Sequence, residues 1–242
     1  MSKSAKQRAT GRRQREQEAR QVVEDIQLDR KRRDGRFGLA LLIAAVAMAL
    51  ASQLLFTATR PTDPTIVGLP DPSFAESRAW TGTLTLNDDV TIEIEIAGDR
   101  APQAAANFIA LSQAHFYDNT PCHRLTTEGI YVLQCGDPTG TGTGGPGYSF
   151  GPLENVPEDG IYPAGTIAMA RSQAPDSMGS QFFIVYEDSP LPAPGYTVFG
   201  RVTGGMDQLQ SKIINNGVAE AIASPTDGPP AQPVNITRID LE

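Results

Sequence analysis

Downstream of residue 79 the chain first alternates and then changes period. Val90-Thr91-Ile92-Glu93-Ile94-Glu95-Ile96 puts Ile92, Ile94 and Ile96 on one face and Thr91, Glu93 and Glu95 on the other, as expected of a half-buried β-strand. Residues 82–86 read the same way. Residues 101–116 switch to a helical stripe through Ala104, Ala105, Phe108 and Leu111, with Pro102 tolerated in the first turn. Short β-like runs follow at 123–125, 131–135, 166–170, 181–186, 196–202 and 234–239, separated by Gly and Pro clusters. A second helix is predicted over 206–215, with Met206, Leu209 and Ile213 inward and Gly217 beyond its end. Many short strands with one early and one late helix predict a mainly β fold, a closed barrel covered at its ends.

Upstream the pattern is of another kind. Residues 37–56, FGLALLIAAVAMALASQLLF, hold no formal charge, and only Ser52 and Gln53 interrupt the apolar run. Twenty such residues as a helix match the thickness of a bilayer's hydrocarbon. Through Arg36 there are 12 basic and 6 acidic residues, net +6, whereas the remainder carries 8 basic and 22 acidic, net −14. With its basic flank on the N-terminal side, the segment predicts a single-pass anchor in the cell membrane, N-terminus cytoplasmic and the rest extracytoplasmic. Ala49-Leu50-Ala51 offers a rival reading, a cleaved signal peptide and a secreted product, but a 36-residue leader is long for that role. The chain thus divides into a basic leader (1–36), a transmembrane anchor (37–56), a linker with Pro61, Pro64, Pro70 and Pro72 (57–79) and a folded domain (80–242). Lipid is the expected partner of the leader, and no nucleic acid is expected.

The domain's residues exclude much chemistry. Only His115 and His123, and only Cys122 and Cys135, are present, so no metal and no cofactor is expected. The run 136–147, GDPTGTGTGGPG, lacks the Gly-Lys-Ser/Thr ending of a phosphate loop. Gly147-Tyr148-Ser149-Phe150-Gly151 matches a hydrolase elbow in letters only, because both histidines precede the serine and Pro152 follows at once. A disulfide between Cys122 and Cys135 is chemically permitted outside the cytoplasm. Strand alternation opposes it if Arg124 and Gln134 share a face, and the pairing stays open.

What remains is a set of short runs: Asn107-Phe108, His123-Arg124, Gln134 with Gly136-Asp137, Gly144-Gly145, Gly179-Ser180-Gln181-Phe182-Phe183 and Val198-Phe199-Gly200. In this order and spacing they resemble the cyclophilin family of peptidyl-prolyl cis-trans isomerases, over roughly residues 80–242. The resemblance implies an eight-stranded antiparallel barrel with two helices and a groove for Xaa-Pro segments of unfolded or exported chains. It implies Arg124 as the catalytic donor and Gln134 as its active-site partner. Tyr131, Val132, Phe183 and Leu191 would then surround the proline ring, Gln181 and the backbone of Arg171 would grip the substrate chain, and Tyr196 would be a further substrate-binding residue. His123 is read as structural.

Several positions depart from the family pattern. Tyr131 replaces a common phenylalanine, Val132 a methionine, Arg171 an asparagine, Leu191 a frequent tryptophan and Tyr196 a histidine. Losing the indole implies weak cyclosporin binding. The altered socket keeps a second function in view, a membrane-tethered proline-binding module with little turnover, although a pure binder needs no donor to the amide nitrogen.

Overall fold

A computed structural model of the chain describes residues 68–219 and 224–242. The leader, the apolar run 37–56 and residues 57–67 of the linker lie outside the described residues. Among the described residues, no helix is long and apolar enough to cross a membrane.

Among the described residues twelve strands occur in chain order: β1 (Ala79–Leu86), β2 (Val90–Ala97), β3 (Thr120–Pro121), β4 (Arg124–Thr126), β5 (Val132–Cys135), β6 (Ile161–Tyr162), β7 (Thr166–Met169), β8 (Phe182–Val185), β9 (Ser189–Pro190), β10 (Val198–Gly204), β11 (Asp227–Gly228) and β12 (Asn235–Leu241). The same residues hold two α-helices, α1 (Pro102–Gln113) and α2 (Met206–Lys212), and two short 3-10 turns. Ten strands form one sheet in the order β11-β4-β5-β8-β7-β10-β2-β1-β12-β3, while β6 and β9 pair separately.

The barrel is curled but not closed, which corrects the closed eight-stranded expectation. Ladder pairing ends at β3 on one side and at β11 on the other. The chain itself spans the opening, because β3 ends at Pro121 and β4 begins at Arg124. Cys122 lies in this two-residue seam, and a disulfide joins it to Cys135 at the end of β5. The seam explains why alternation misled: Cys122 is outside the ladder, so its side chain is free to turn inward, and both cysteines are buried.

Inside the curl sit Phe108, Tyr117, Phe182 and Phe199, fully buried, with Phe108 5.2, 5.3 and 5.0 Å from the other three ring centroids. Helix α1 packs against β2, β10 and β12, and α2 against β2. No side chain at the start of α1 caps its own turn. Glu154 does so from a distant loop, its carboxylate accepting from the amides of Gln103 (3.1 Å) and Ala104 (2.9 Å). The packed domain also reaches upstream of Trp80, whose indole donates to the Ala75 carbonyl at 3.0 Å.

Candidate active site

Sheet register assembles the site as one row across the strands. Arg124 on β4 lies opposite Gln134 on β5, Gln134 opposite Phe183 on β8, Phe183 opposite Ala168 on β7, and Ala168 opposite Val198 on β10. Side chains directly opposed in a ladder share a face, so these five stand together on the outer surface. Their neighbours Leu125, Leu133, Phe182, Ile184 and Ile167 point into the main core. A second apolar cluster of Val132, Tyr162, Ala168, Phe183, Val185 and Leu191 builds on the outer face. Both faces of this part of the sheet are therefore covered, and the continuous apolar run Phe182–Val185 follows from that.

Arg124, Ile130, Val132, Gln134, Ala170, Arg171, Phe183, Leu191 and Tyr196 line a cavity of about 170 Å³. Ile130, Val132, Phe183 and Leu191 give it an apolar side, and Arg124, Gln134 and Arg171 a polar one. Tyr131 lies outside this set. Ile130 and Val132 line the cavity, whereas the Tyr131 ring stands edge-on to Tyr186 with centroids 5.9 Å apart. The Tyr131 amide donates to the Ser189 hydroxyl at 2.8 Å. Tyr196 stands edge-on to Phe183, centroids 5.4 Å apart, and the Arg171 guanidinium lies 4.6 Å from the Tyr196 ring centre. Arg171 Nε also donates to the Gly195 carbonyl at 2.8 Å, so its side chain braces Tyr196 from behind.

The polar side of the site is a chain of hydrogen bonds with one consistent direction. Gln181 Nε2 donates to the carbonyls of Gly142 (3.0 Å) and Gly144 (2.9 Å), which can only accept. Gln181 Oε1 must then face Gln134, accepting from its Nε2 at 2.9 Å. Gln134 Oε1 is left to accept from Arg124 Nη1 at 3.3 Å. Gln181 uses both its donors on the loop, so it braces Gln134 as well as flanking the groove.

The glycine-rich loop owes its shape to Asp137. Its fully buried carboxylate accepts from the amides of Thr139 (2.7 Å), Gly142 (2.6 Å) and Gly144 (3.2 Å) and from the Thr139 hydroxyl (2.8 Å). Burial pushes this carboxyl up, but the bonds from Thr139, Gly144 and Gly142 outweigh it and hold it below the usual aspartate value. Gly136 takes φ +84° with its α-carbon against the Ser180 carbonyl, where a β-carbon would sit 2.5 Å from that oxygen. Asn107 ties α1 to the same region, donating to the Gly179 carbonyl at 2.8 Å and accepting from the Tyr148 hydroxyl at 2.7 Å. Burial pushes the Tyr148 phenol up to about 12. The loop borders a larger open groove of about 820 Å³ that meets the smaller cavity at Gln134, Ala170 and Arg171. Ser149 stands in this groove on irregular chain with no helix after it, unlike a hydrolase nucleophile.

His123 sits behind the row, its Nδ1 buried without a hydrogen-bond partner. Burial lowers its pKa from 6.5, Asp137 opposes and Arg124 reinforces the shift. The folded state prefers the neutral ring, so this stabilisation is complete above 6.5 and is lost as pH falls through the lower folded value. Thermal unfolding between about pH 8 and about pH 5 should show a Tm decline that is shallower in His123→Gln. Equal slopes would contradict the assignment. Among the described residues no group of three or more His, Cys, Asp or Glu side chains is placed to hold a metal ion.

One residue of the site had no sequence signal. Asp227 on β11 accepts from Arg124 Nε and Nη2, both at 2.7 Å, a two-pronged pair with the guanidinium. Its carboxylate raises the pKa of Arg124 against the opposing effect of burial, and is itself lowered by the bonds it receives. Asp227-Gly228 reads from sequence as a turn, and nothing local links it to a residue 103 positions earlier. Ile130 was within reach, since alternation pairs it with Val132.

Comparison with known proteins identifies the family. The family model described as cyclophilin type peptidyl-prolyl cis-trans isomerase/CLD matches residues 82–241. A protein of Mycobacterium leprae named probable peptidyl-prolyl cis-trans isomerase B is 40% identical over 193 residues, covering 75% of this chain and 59% of that one. The similarly named protein of Mycobacterium tuberculosis is 44% identical over 164 residues, 62% of this chain and 51% of its own length. The chain thus spans a little over half the length of these mycobacterial relatives. Peptidyl-prolyl cis-trans isomerase B of Bacillus subtilis is 41% identical over 137 residues and is covered over 92% of its length. A crystal structure of a Cryptosporidium parvum cyclophilin type isomerase, determined in the presence of the dipeptide Ala-Pro, matches with a TM-score of 0.56 at 31% identity, covering 67% of this chain and 98% of that one. The domain with the Arg124 row on its outer face belongs to the cyclophilin family of peptidyl-prolyl cis-trans isomerases.

Proposed function

We propose that the protein isomerises Xaa-Pro peptide bonds, with Arg124 stabilising the twisted prolyl amide. The observation that carries this is a guanidinium with unused donors on the wall of a cavity of about 170 Å³ that Val132, Phe183 and Leu191 also line. A peptide bond resists rotation by about 18–20 kcal/mol because resonance must be broken. Once twisted, the prolyl nitrogen becomes pyramidal and basic, so a donor aimed at its lone pair favours that state over the planar amide. Arg124 has five N–H groups. Asp227 takes Nε and one hydrogen of Nη2, Gln134 takes one of Nη1, and one on each terminal nitrogen is left for substrate. The proline ring enters against Val132, Phe183 and Leu191, and the preceding residues run along the glycine-rich groove. No bond is made or broken, which suits a site without a nucleophile. Exchange spectroscopy on a short Xaa-Pro peptide tests this: substoichiometric protein should produce cis–trans exchange peaks, and their absence would refute the activity.

The clients we propose are unfolded or exported chains, met outside the cytoplasm by a domain tethered through residues 37–56. The charge-free run and its one-sided basic flank support that topology. Protease added to intact cells should remove the isomerase domain; full protection would refute the orientation.

Weak cyclosporin binding is proposed as well. Leu191 occupies the socket, and the single tryptophan, Trp80, is buried elsewhere with its indole committed to the Ala75 carbonyl. Inhibition should be shallow at equimolar drug, and a tight stoichiometric curve would contradict this.

A further inference from the structure

The structure assigns Asp227 a place in the reaction: we infer that it is a positioning residue, fixing the plane of the Arg124 guanidinium so that its two unused N–H groups face the proline cavity. This rests on the isomerase reading above.

The geometry is specific. β11 pairs with β4 through Asp227 opposite Thr126 and Gly228 opposite Leu125. Asp227 is therefore diagonal to Arg124, two residues from the position opposite it, on the same face of the ladder. Around this pairing the chain is held at its neck: Val218 bridges Pro230, the Ala219 amide donates to the Pro229 carbonyl at 2.8 Å, and the Ala231 amide to that of Gly217 at 2.8 Å. Closer in, the Thr127 amide donates to the Thr226 carbonyl at 2.8 Å. The carboxylate is delivered to the arginine by backbone pairing on both sides of it.

Its contacts also divide the guanidinium's work. Asp227 covers the Nε–Nη2 edge with two bonds of 2.7 Å, and Gln134 holds Nη1 from the other end. A planar group gripped at both ends has lost its rotational freedom before substrate arrives, so less ordering is left for the transition state. The pair is 38% and 45% exposed, and ion pairs in such surroundings add little to stability. Its effect should appear in turnover and not in the folded population.

The test uses Asp227→Asn and Asp227→Ala in the full chain. We expect kcat on an Xaa-Pro peptide to fall about tenfold, within a ceiling near thirtyfold set by arginine rotamer entropy, with KM within about twofold. Tm should be unchanged, and in nitrogen-15 spectra the protected Nε–H of Arg124 should lose its protection against exchange. Adding Asp227→Asn to Arg124→Ala should change nothing more. Wild-type turnover with kcat unchanged or raised in both variants would overturn the inference and leave the isomerase reading standing. Absent wild-type turnover would sink that reading; a protected Arg124 Nε–H that Asp227→Asn exposes would still support the positioning, and an unprotected one would overturn it.

Discussion

Arg124→Ala is expected to lower kcat/KM for an Xaa-Pro peptide by about a hundredfold or more, while the peptide still binds. The magnitude follows from losing a donor aimed at charge that develops only in the transition state, typically 10²–10³ in rate. Retained binding follows from the division of the site. Val132, Phe183 and Leu191 form the socket by themselves, packed with Ala168 and Tyr162, and none relies on Arg124 for its place. The fold should survive too, since the guanidinium is over a third exposed. Arg124→Lys is a sharper variant: it keeps the charge but not the planar fork that spans Asp227 and Gln134, so it should also lose most of the turnover. Peptide titration followed by chemical shift, beside a rate assay on the same samples, checks both. Equal loss of binding and rate would move Arg124 from the reaction to simple recognition.

The second large effect concerns stability. Removing the Cys122–Cys135 disulfide should destabilise the domain by about 3 kcal/mol, the size expected for a loop of roughly 15 residues; the two cysteines are 13 apart in sequence. The bond spans the seam where ladder pairing stops, so no hydrogen bonds between β3 and β11 replace it. Arg124 is two residues from one cysteine and Gln134 adjoins the other, so part of the turnover should go as well. Urea unfolding of Cys122→Ser/Cys135→Ser against the oxidised protein gives the difference. A coincident midpoint, or two thiols that alkylate without reductant, would contradict the assignment.

Much of this fold was legible in the chain, and the illegible parts share a cause. Alternation along residues 90–96 placed three isoleucines in the core, and Phe182 in the main core with Phe183 and Gln181 on the outer face follow their parity. The stripe through Ala104, Phe108 and Leu111 identified α1, all three fully buried. Periodicity describes one element at a time. It does not say which strands meet at the end of a sheet, so the open seam at 121–124 and the inward turn of Cys122 were hidden. Tyr131 was placed in the socket by the resemblance and not by parity: with Val132 and Gln134 on the cavity face, alternation gives the next position to Ile130, which takes it. Asp227 was the least visible of all. Its strand is two residues long, too short for any pattern, and its partner is far away in sequence.

The central claim is that Arg124 acts on the bound, twisting amide, and it is tested most directly by the rate of cis–trans exchange in a peptide held saturated on the protein. Exchange spectroscopy at saturating protein isolates that step from association and release. With wild-type protein the bound peptide should interconvert far faster than the free peptide, whose isomerisation takes tens to hundreds of seconds. With Arg124→Ala at equal saturation it should slow by about a hundredfold or more. Equal exchange rates on the two proteins would contradict the account.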